Sequence, residues 1–303
     1  METEKGGRAR DGQTSRKLSI KKIGDEIENP HDRNIPEPLL KIKQGHLLTL
    51  VAKRGGGKTT VLANLVSQPE FGYKDAFINV IDPVEKMVRE QEQRERREAR
   101  ERRGKLPLAD VQTRKGQRLK RHNNVFLFSK TANKRDEVWG ELIRDGIIKE
   151  ENIVPNLDLN FLSELLKIQM TTIEKVGLEN TNPILIILDD LVSDLSRMSK
   201  NKSNALIDIT LNGRHHAICM WVVTQVVKGL PKPIRMNSDA YIIFGLQPQE
   251  INDMMEAVND RLTKNEFMEL YLQATREKYN FLYVNMKKPP RERFYHNFQR
   301  LLG

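Results

Sequence analysis

The stretch LLTLVAKRGGGKTTVLANL, residues 47–65, decides the reading of this chain. An apolar run meets a basic pair, then three consecutive glycines, then Lys-Thr-Thr and a helical pattern. Ala52, Lys53, Arg54, Gly55, Gly56, Gly57, Lys58 and Thr59 meet the spacing [Gly/Ala]-x-x-x-x-Gly-Lys-[Ser/Thr], with Thr60 next to it. Glycines let a backbone wrap closely around an anion. The loop N–H groups and the N-terminus of the following helix then point at that anion. In such a P-loop Lys58 would reach the outer phosphates of ATP, and the Thr59 hydroxyl would hold Mg²⁺. A strand before the glycines and a helix after them are the context this motif requires.

The 303 residues suffice for one large domain or two modest ones. No apolar run approaches the ~18 residues of a membrane span. The start METEKGGRARDGQ has no apolar h-region, so a secretory signal is not expected. The lone Cys219 cannot form an internal disulfide and reads as a small buried apolar side chain.

Net charge is +10, and it is unevenly spread. Residues 86–121 carry a local +8 and residues 1–22 a local +4, which leaves a slightly acidic remainder. Two basic appendages on a near-neutral body suggest a polyanionic partner, or else serve only solubility. Residues 1–35 are polar and read as a flexible basic tail, so the folded domain is expected over 36–303, with a basic insertion at about 84–122.

Five apolar runs have strand length: HLLTLVA (46–52), AFINVI (76–81), ILIILDD (184–190), CMWVVTQ (219–225) and YIIFG (241–245), with VFLF (125–128) as a sixth candidate. They are continuous rather than alternating, as in strands buried on both faces. Helical patterns lie between them. LNFLSELLKIQMTTIEKVG puts Phe161, Leu165, Ile168 and Thr172 on one face and stops at Gly177, and NALIDITLNG stops at Gly213. Strands alternating with helices predict an α/β fold with a mostly parallel central sheet. The aromatic-rich end NFLYVNMKKPPRERFYHNF reads as a C-terminal β-hairpin.

A P-loop needs a carboxylate for its metal, and PILIILDDL supplies two at a strand end. Asp189 would hold Mg²⁺ directly or through water. Asp190 would act as general base toward a water, or cap the next helix. Gln225 ends another buried strand and would emerge on the same edge, to orient water or to bond with backbone. Arg214 precedes that strand and so lies at the opposite edge. It reads as a finger entering a neighbouring subunit's site, or as a solvated arginine at a helix C-terminus. His215 and His216 lack spaced metal partners, so no zinc site is expected.

The motifs AKRGGGKTT, ILIILDDL, NGRHHAICMWVVTQ and FLYVNMKKPPRERFYHNF together resemble the FtsK–HerA superfamily of P-loop motor ATPases. Within it the chain is similar to the DNA-packaging ATPases of large eukaryotic DNA viruses, virophages and related transposons. The resemblance spans roughly residues 38–300. It implies a RecA-like core, with the Gln225 strand between the P-loop strand and the Asp189 strand. It also implies ATP hydrolysis with Mg²⁺, a homo-oligomeric ring of five or six subunits with Arg214 as its arginine finger, and double-stranded DNA as sequence-independent substrate. Capsid portal or vertex proteins would be partners, and the host cytoplasm the place of assembly.

The basic segment departs from that pattern. Asp82 can cap a helix with Pro83 in its first position. Glu90–Arg94, Glu92–Arg96 and Glu98–Arg102 make i,i+4 pairs, yet no apolar stripe follows Val88. Such a helix projects into solvent or contacts phosphates through Arg96, Arg97, Arg100, Arg102 and Arg103. Two other readings of the chain remain at this point. One is a P-loop small-molecule or nucleoside kinase whose lid is the basic segment. The other is a non-hydrolysing, nucleotide-dependent DNA-binding capsid protein.

Overall fold

Strand β1 (Leu47–Val51) is buried along its whole length, and it shows why the apolar runs are continuous. Leu47 and Val51 face one apolar cluster while Leu48 and Leu50 face another, so both sides of the strand are covered. The same split holds in β6 (Ile184–Asp189), β7 (Ile218–Thr224) and β8 (Ala240–Ile243).

The computed structural model describes residues 30–42, 45–103, 119–191, 193–195, 204–258 and 262–301. Most of the expected tail, residues 104–118 of the expected insertion, and the side chains of Arg100, Arg102 and Arg103 lie outside the described residues. The remaining elements, in chain order, are α1 (Lys58–Ser67), α2 (Lys74–Phe77), β2 (Val80–Ile81), α3 (Pro83–Arg103), β3 (Arg121–His122), β4 (Val125–Ser129), α4 (Glu137–Arg144), β5 (Ile153–Val154), α5 (Leu159–Val176), α6 (Ala205–Asn212), α7 (Lys232–Asn237), α8 (Pro248–Val258), α9 (Lys264–Ala274), β9 (Leu282–Asn285), β10 (Phe294–His296) and β11 (Arg300–Leu301).

Nine of the described strands form one sheet in the order β11-β10-β9-β8-β1-β7-β6-β4-β5. From β8 to β5 every pairing is parallel, while β9, β10 and β11 are added antiparallel. The expected mostly parallel α/β sheet is therefore present, and the expected hairpin is the β9–β10 pair. Residues of α5, α6, α8 and α9 fill one face; residues of α1, α2 and α4 fill the other together with Ile35, Leu39, Leu40 and Ile42. Ile35 is buried, so the folded body reaches back into the stretch read as tail.

Two expectations are corrected. AFINVI is not a strand of the main sheet. Ala76 and Phe77 are buried in the short α2, Asn79 turns the chain with φ 56°, and only Val80–Ile81 pair, with β3. Asn79 N–H donates to Asn123 Oδ1 at 3.0 Å, and Asn124 N–H to the Phe77 carbonyl at 2.8 Å, so the segment caps the start of β4. In α5 the buried side is Leu162, Leu165, Leu166 and Gln169, and Ile168 is 59% exposed. The rotation follows from Gln169, whose amide Nε2 donates to the carbonyls of Asn182 (2.8 Å) and Ala217 (3.3 Å), so a polar residue takes a core position.

His46 precedes β1 as a buried polar anchor. The Trp221 indole N–H donates to its Nε2 at 2.9 Å, so its own proton is on Nδ1, which faces the Lys41 carbonyl at 3.2 Å. Burial pushes the imidazole pKa down from 6.5 to about 4, against the raising pull of Asp239 and the Lys41 carbonyl. The unfolded chain therefore takes up a proton near pH 6.5 that the fold refuses until about pH 4. Stability from this group is full above pH 6.5 and is lost as pH falls toward 4, by up to about 1.4 kcal/mol per pH unit. Denaturant unfolding across that window should show a steeper acid loss for the native chain than for His46→Phe. That variant should also be weaker at pH 7, by about 1–3 kcal/mol, because the Trp221 N–H loses its acceptor.

Candidate active site

Three parallel strands end level with one another. Val51 lies opposite Thr224, and Asp189 lies opposite Val223. The loop after β1, the Asp189–Asp190 pair after β6 and Gln225 after β7 thus share the C-terminal edge of the sheet. β7 sits between β1 and β6, the strand order that the motif resemblance implied.

The P-loop begins at Ala52, whose N–H donates to the Thr224 carbonyl at 3.2 Å. Gly55 and Gly57 have φ of 71° and 91°, a region that only glycine occupies freely. Gly57 caps α1, so the first turn of that helix, Lys58–Thr59–Thr60, opens on the loop. Lys58 Nζ folds back to donate to the carbonyls of Ala52 (2.9 Å) and Lys53 (3.1 Å). Burial holds the ammonium below its ordinary pKa, and Asp190 and then Asp189 draw it back up. A partly desolvated cation bonded to the carbonyls of its own loop could exchange them for the oxygens of an anion.

Asp189 is buried at the end of β6. Its Oδ2 accepts from the Trp139 indole N–H at 3.0 Å and from the Ser129 hydroxyl at 3.3 Å. Burial raises its pKa first; the Trp139 bond opposes this, Asp190 adds to it, and Ser129 and Lys58 lower it. Both bonds fall on Oδ2, which leaves Oδ1 for a cation or its water. Among the described residues no group of three or more His, Cys, Asp or Glu could hold a metal. A cation at Thr59 and Asp189 would suit Mg²⁺, which usually keeps several waters and binds through one or two carboxylates together with phosphate oxygens.

Asp190 is exposed, with φ 53°, a left-handed backbone that Asp tolerates better than most residues. Gln225 Nε2 donates to its carboxylate at 3.3 and 3.4 Å. The structure thus brings together Lys58, Thr59, Asp189, Asp190 and Gln225. Trp139 and Ser129 join them and were not singled out from sequence. Ser129 carries the same signal as Gln225, a polar residue closing a buried strand. Trp139 has no local signal, because α4 reaches Asp189 only through tertiary packing.

Arg214 lies in the turn Gly213–His216, before β7 begins. Seven residues of strand separate it from the P-loop edge, roughly 20 Å, farther than an arginine extends. Its Nε donates to His215 Nε2 at 3.3 Å, and it lines a cavity of about 510 Å³ with Gly45, Asp239 and Lys287. The basic helix α3 rises from the β2–β3 ribbon. Asp82 Oδ1 caps it by accepting from the N–H groups of Val84 (2.9 Å) and Glu85 (3.1 Å). Lys120 N–H donates to Glu85 Oε2 at 3.0 Å, so the excursion returns to its starting point. Residues 93–99 of α3, Arg96 and Arg97 included, are all exposed, and Arg96 pairs with Glu92 at 4.0 Å. No described helix is long and apolar enough to cross a membrane.

Residues 117–286 match the Poxvirus A32 protein family, a stretch that holds Asp189, Asp190, Arg214 and Gln225 but begins after the P-loop. No curated protein matches the chain. Among solved structures, the genome packaging NTPase B204 from Sulfolobus turreted icosahedral virus 2, in complex with AMPPCP, is similar at 12% identity and a TM-score of 0.46, over 80% of this chain and 94% of that one. EssC (ATPases 2 and 3) from Geobacillus thermodenitrificans is similar at 11% identity and a TM-score of 0.44, over 82% of this chain and 39% of that one. The family match spans more than half of the 303 residues, and by it this chain belongs to the Poxvirus A32 protein family, in keeping with its motif resemblance to viral packaging ATPases of the FtsK–HerA superfamily.

Proposed function

We propose that this chain hydrolyses ATP to translocate double-stranded DNA, as a subunit of a viral genome-packaging motor. The observation that carries the reading is the single sheet edge on which Lys58, Thr59, Asp189 and Asp190 meet, with Gln225 bound to Asp190. Lys58 and the loop N–H groups hold the β- and γ-phosphates. Thr59 and Asp189 would hold Mg²⁺, which would supply charge neutralisation at the phosphates. Asp190, steadied by Gln225, takes the proton of the attacking water as the bond from the γ-phosphorus to ADP breaks. A kinase would bind an acceptor in place of water, so phosphate release without any acceptor separates the two readings. A non-hydrolysing capsid protein would bind ATP and release no phosphate.

The resemblance to packaging ATPases supports a homo-oligomeric ring with Arg214 at the subunit boundary, docked on capsid portal or vertex proteins in the host cytoplasm. DNA would be gripped by its backbone, without reading of base sequence. The exposed stretch of α3 and the basic residues beyond it suit that role, since an exposed pair such as Arg96–Glu92 is weak and yields readily to a phosphate. Phosphate release should rise when long duplex DNA is added. DNA affinity should fall steeply with salt and vary little with sequence. Replacing Arg96, Arg97, Arg100, Arg102 and Arg103 by Gln should flatten the salt slope, by up to about 0.9 per lost phosphate contact. Basal hydrolysis should stay the same in that variant while DNA stimulation drops. A native slope and native stimulation would make the segment a solvated insertion.

A further inference from the structure

The turn between α9 and β9 stands at the same sheet edge as the P-loop. β9 starts level with the end of β8, with Leu282 opposite Ile243, and Ile243 lies opposite Val51 at the end of β1. At the tip of this turn Tyr279 adopts φ 72° and leaves 57% of its surface exposed. A bulky aromatic in left-handed backbone is strained, and such strain persists only where its surroundings impose it. Here they do: Asn280 N–H donates to the Glu277 carbonyl at 3.2 Å, and Asn297 Nδ2 donates to Asn280 Oδ1 at 3.2 Å. Phe281 N–H donates to Asn297 Oδ1 at 3.0 Å, and the Phe281 ring packs on Phe244 with centroids 5.1 Å apart.

That frame sets the ring beside the glycine loop. A Cβ placed on Gly57 would meet Tyr279 Cδ1 at 3.3 Å and Phe244 Cε1 at 3.7 Å. The Lys278 ammonium lies 4.7 Å from the Tyr279 centroid, a cation–π contact made by a flexible, exposed chain. The ring is thus covered on that side by something easily moved.

We infer that Tyr279 is the platform on which the base of the bound nucleotide stacks. The inference rests on the P-loop reading above. Phosphates held by Gly55–Thr59 would leave the base just outside the glycine loop, and Tyr279 is a flat π-surface beside that loop's last glycine, with Cδ1 3.3 Å from where a Cβ on Gly57 would stand. Stacking engages the face that every base has, so this contact grips the base without choosing among bases. Lys278 would shift aside or bridge to the sugar–phosphate as the base arrives.

The test is equilibrium binding of ATP and of inorganic tripolyphosphate, each with Mg²⁺, to the full chain. Tyr279→Leu should weaken ATP on the order of tenfold and leave tripolyphosphate unchanged. Tyr279→Phe should bind both as the native chain does. Tyr279→Gly, which relieves the left-handed strain, should lose ATP affinity selectively while folding at least as stably, which guards against misfolding of the leucine variant. Equal losses for both ligands would overturn the inference, since the ring would then only shape the loop. Unchanged ATP affinity in the leucine and glycine variants would overturn it as well. A native chain that binds neither ligand, or a Lys58→Ala variant that binds both as well as the native chain does, would instead sink the P-loop reading beneath it.

Discussion

Asn in place of Asp190 should leave ATP bound and stop its hydrolysis, whereas Ala in place of Lys58 should remove binding and turnover together. The two substitutions act on different stages because the two side chains meet the nucleotide differently. Lys58 is a partly desolvated ammonium whose bonds go to the carbonyls of Ala52 and Lys53, so its charge is held in the loop for an anion to claim. Alanine takes away that charge, and a triphosphate then faces the two carboxylates with less to offset them. Asp190 is the reverse case. Asparagine tolerates the φ of 53° as well as aspartate does, and its carbonyl oxygen can still accept from Gln225, so backbone and site geometry persist. What disappears is the capacity to take a proton. General-base loss of this kind lowers the chemical step by about 10²–10⁴-fold. Nucleotide affinity and single-turnover phosphate release, measured on the same samples, separate the two stages. Normal turnover in Asp190→Asn would remove that residue from the mechanism and return it to a role in the turn after β6.

Much of this edge was legible in the chain itself, for physical reasons that also mark where legibility stopped. Strands buried on both faces need unbroken apolar runs, so β1, β6, β7 and β8 announce themselves. A polar residue closing such a run has nowhere to go but the sheet edge, which is why Asp189, Asp190 and Gln225 are legible, whereas Lys58 is marked by the glycine spacing that precedes it. AFINVI failed because apolar content alone does not fix direction. Asn79, free to turn left-handed and held by Asn123, ends the run as a helix and a two-residue strand. The register of α5 failed because Gln169, polar by type, is buried through bonds to two carbonyls distant in sequence. Trp139 and Tyr279 stayed hidden for a related reason. Each acts through a contact with a residue more than 40 positions away, which no local pattern encodes.

Arg214→Ala should lower turnover by roughly 10³-fold while leaving each subunit able to bind ATP. The size of the effect comes from where charge develops. An arginine brought to the γ-phosphate stabilises a transition state more anionic than the ground state. Within one subunit this is geometrically barred, since β7 keeps Arg214 and the P-loop on opposite edges. The turn that bears it packs closely against the chain before β1. A Cβ placed on Gly45, itself at φ 68°, would meet the Arg214 Cα at 3.1 Å and the Ile218 carbonyl oxygen at 2.4 Å, so only glycine there lets the turn pack this closely. A second subunit whose P-loop edge faces this turn would receive the guanidinium, with the His215 bond given up in exchange for a phosphate. Mixing provides the decisive measurement. Arg214→Ala subunits lack the finger but keep a P-loop, and Lys58→Ala subunits lack the P-loop lysine but keep a finger. Alone, Lys58→Ala should not turn over and Arg214→Ala should turn over roughly 10³-fold more slowly than the native chain, and together they should recover part of the native rate at those boundaries where an intact P-loop meets an intact finger. Recovery should follow the mixing ratio and peak between the two pure samples. If mixed rings form, as judged by mass or cross-linking, and no ratio restores phosphate release, the site is not shared, and Arg214 is a solvated arginine favoured by the helix end it follows.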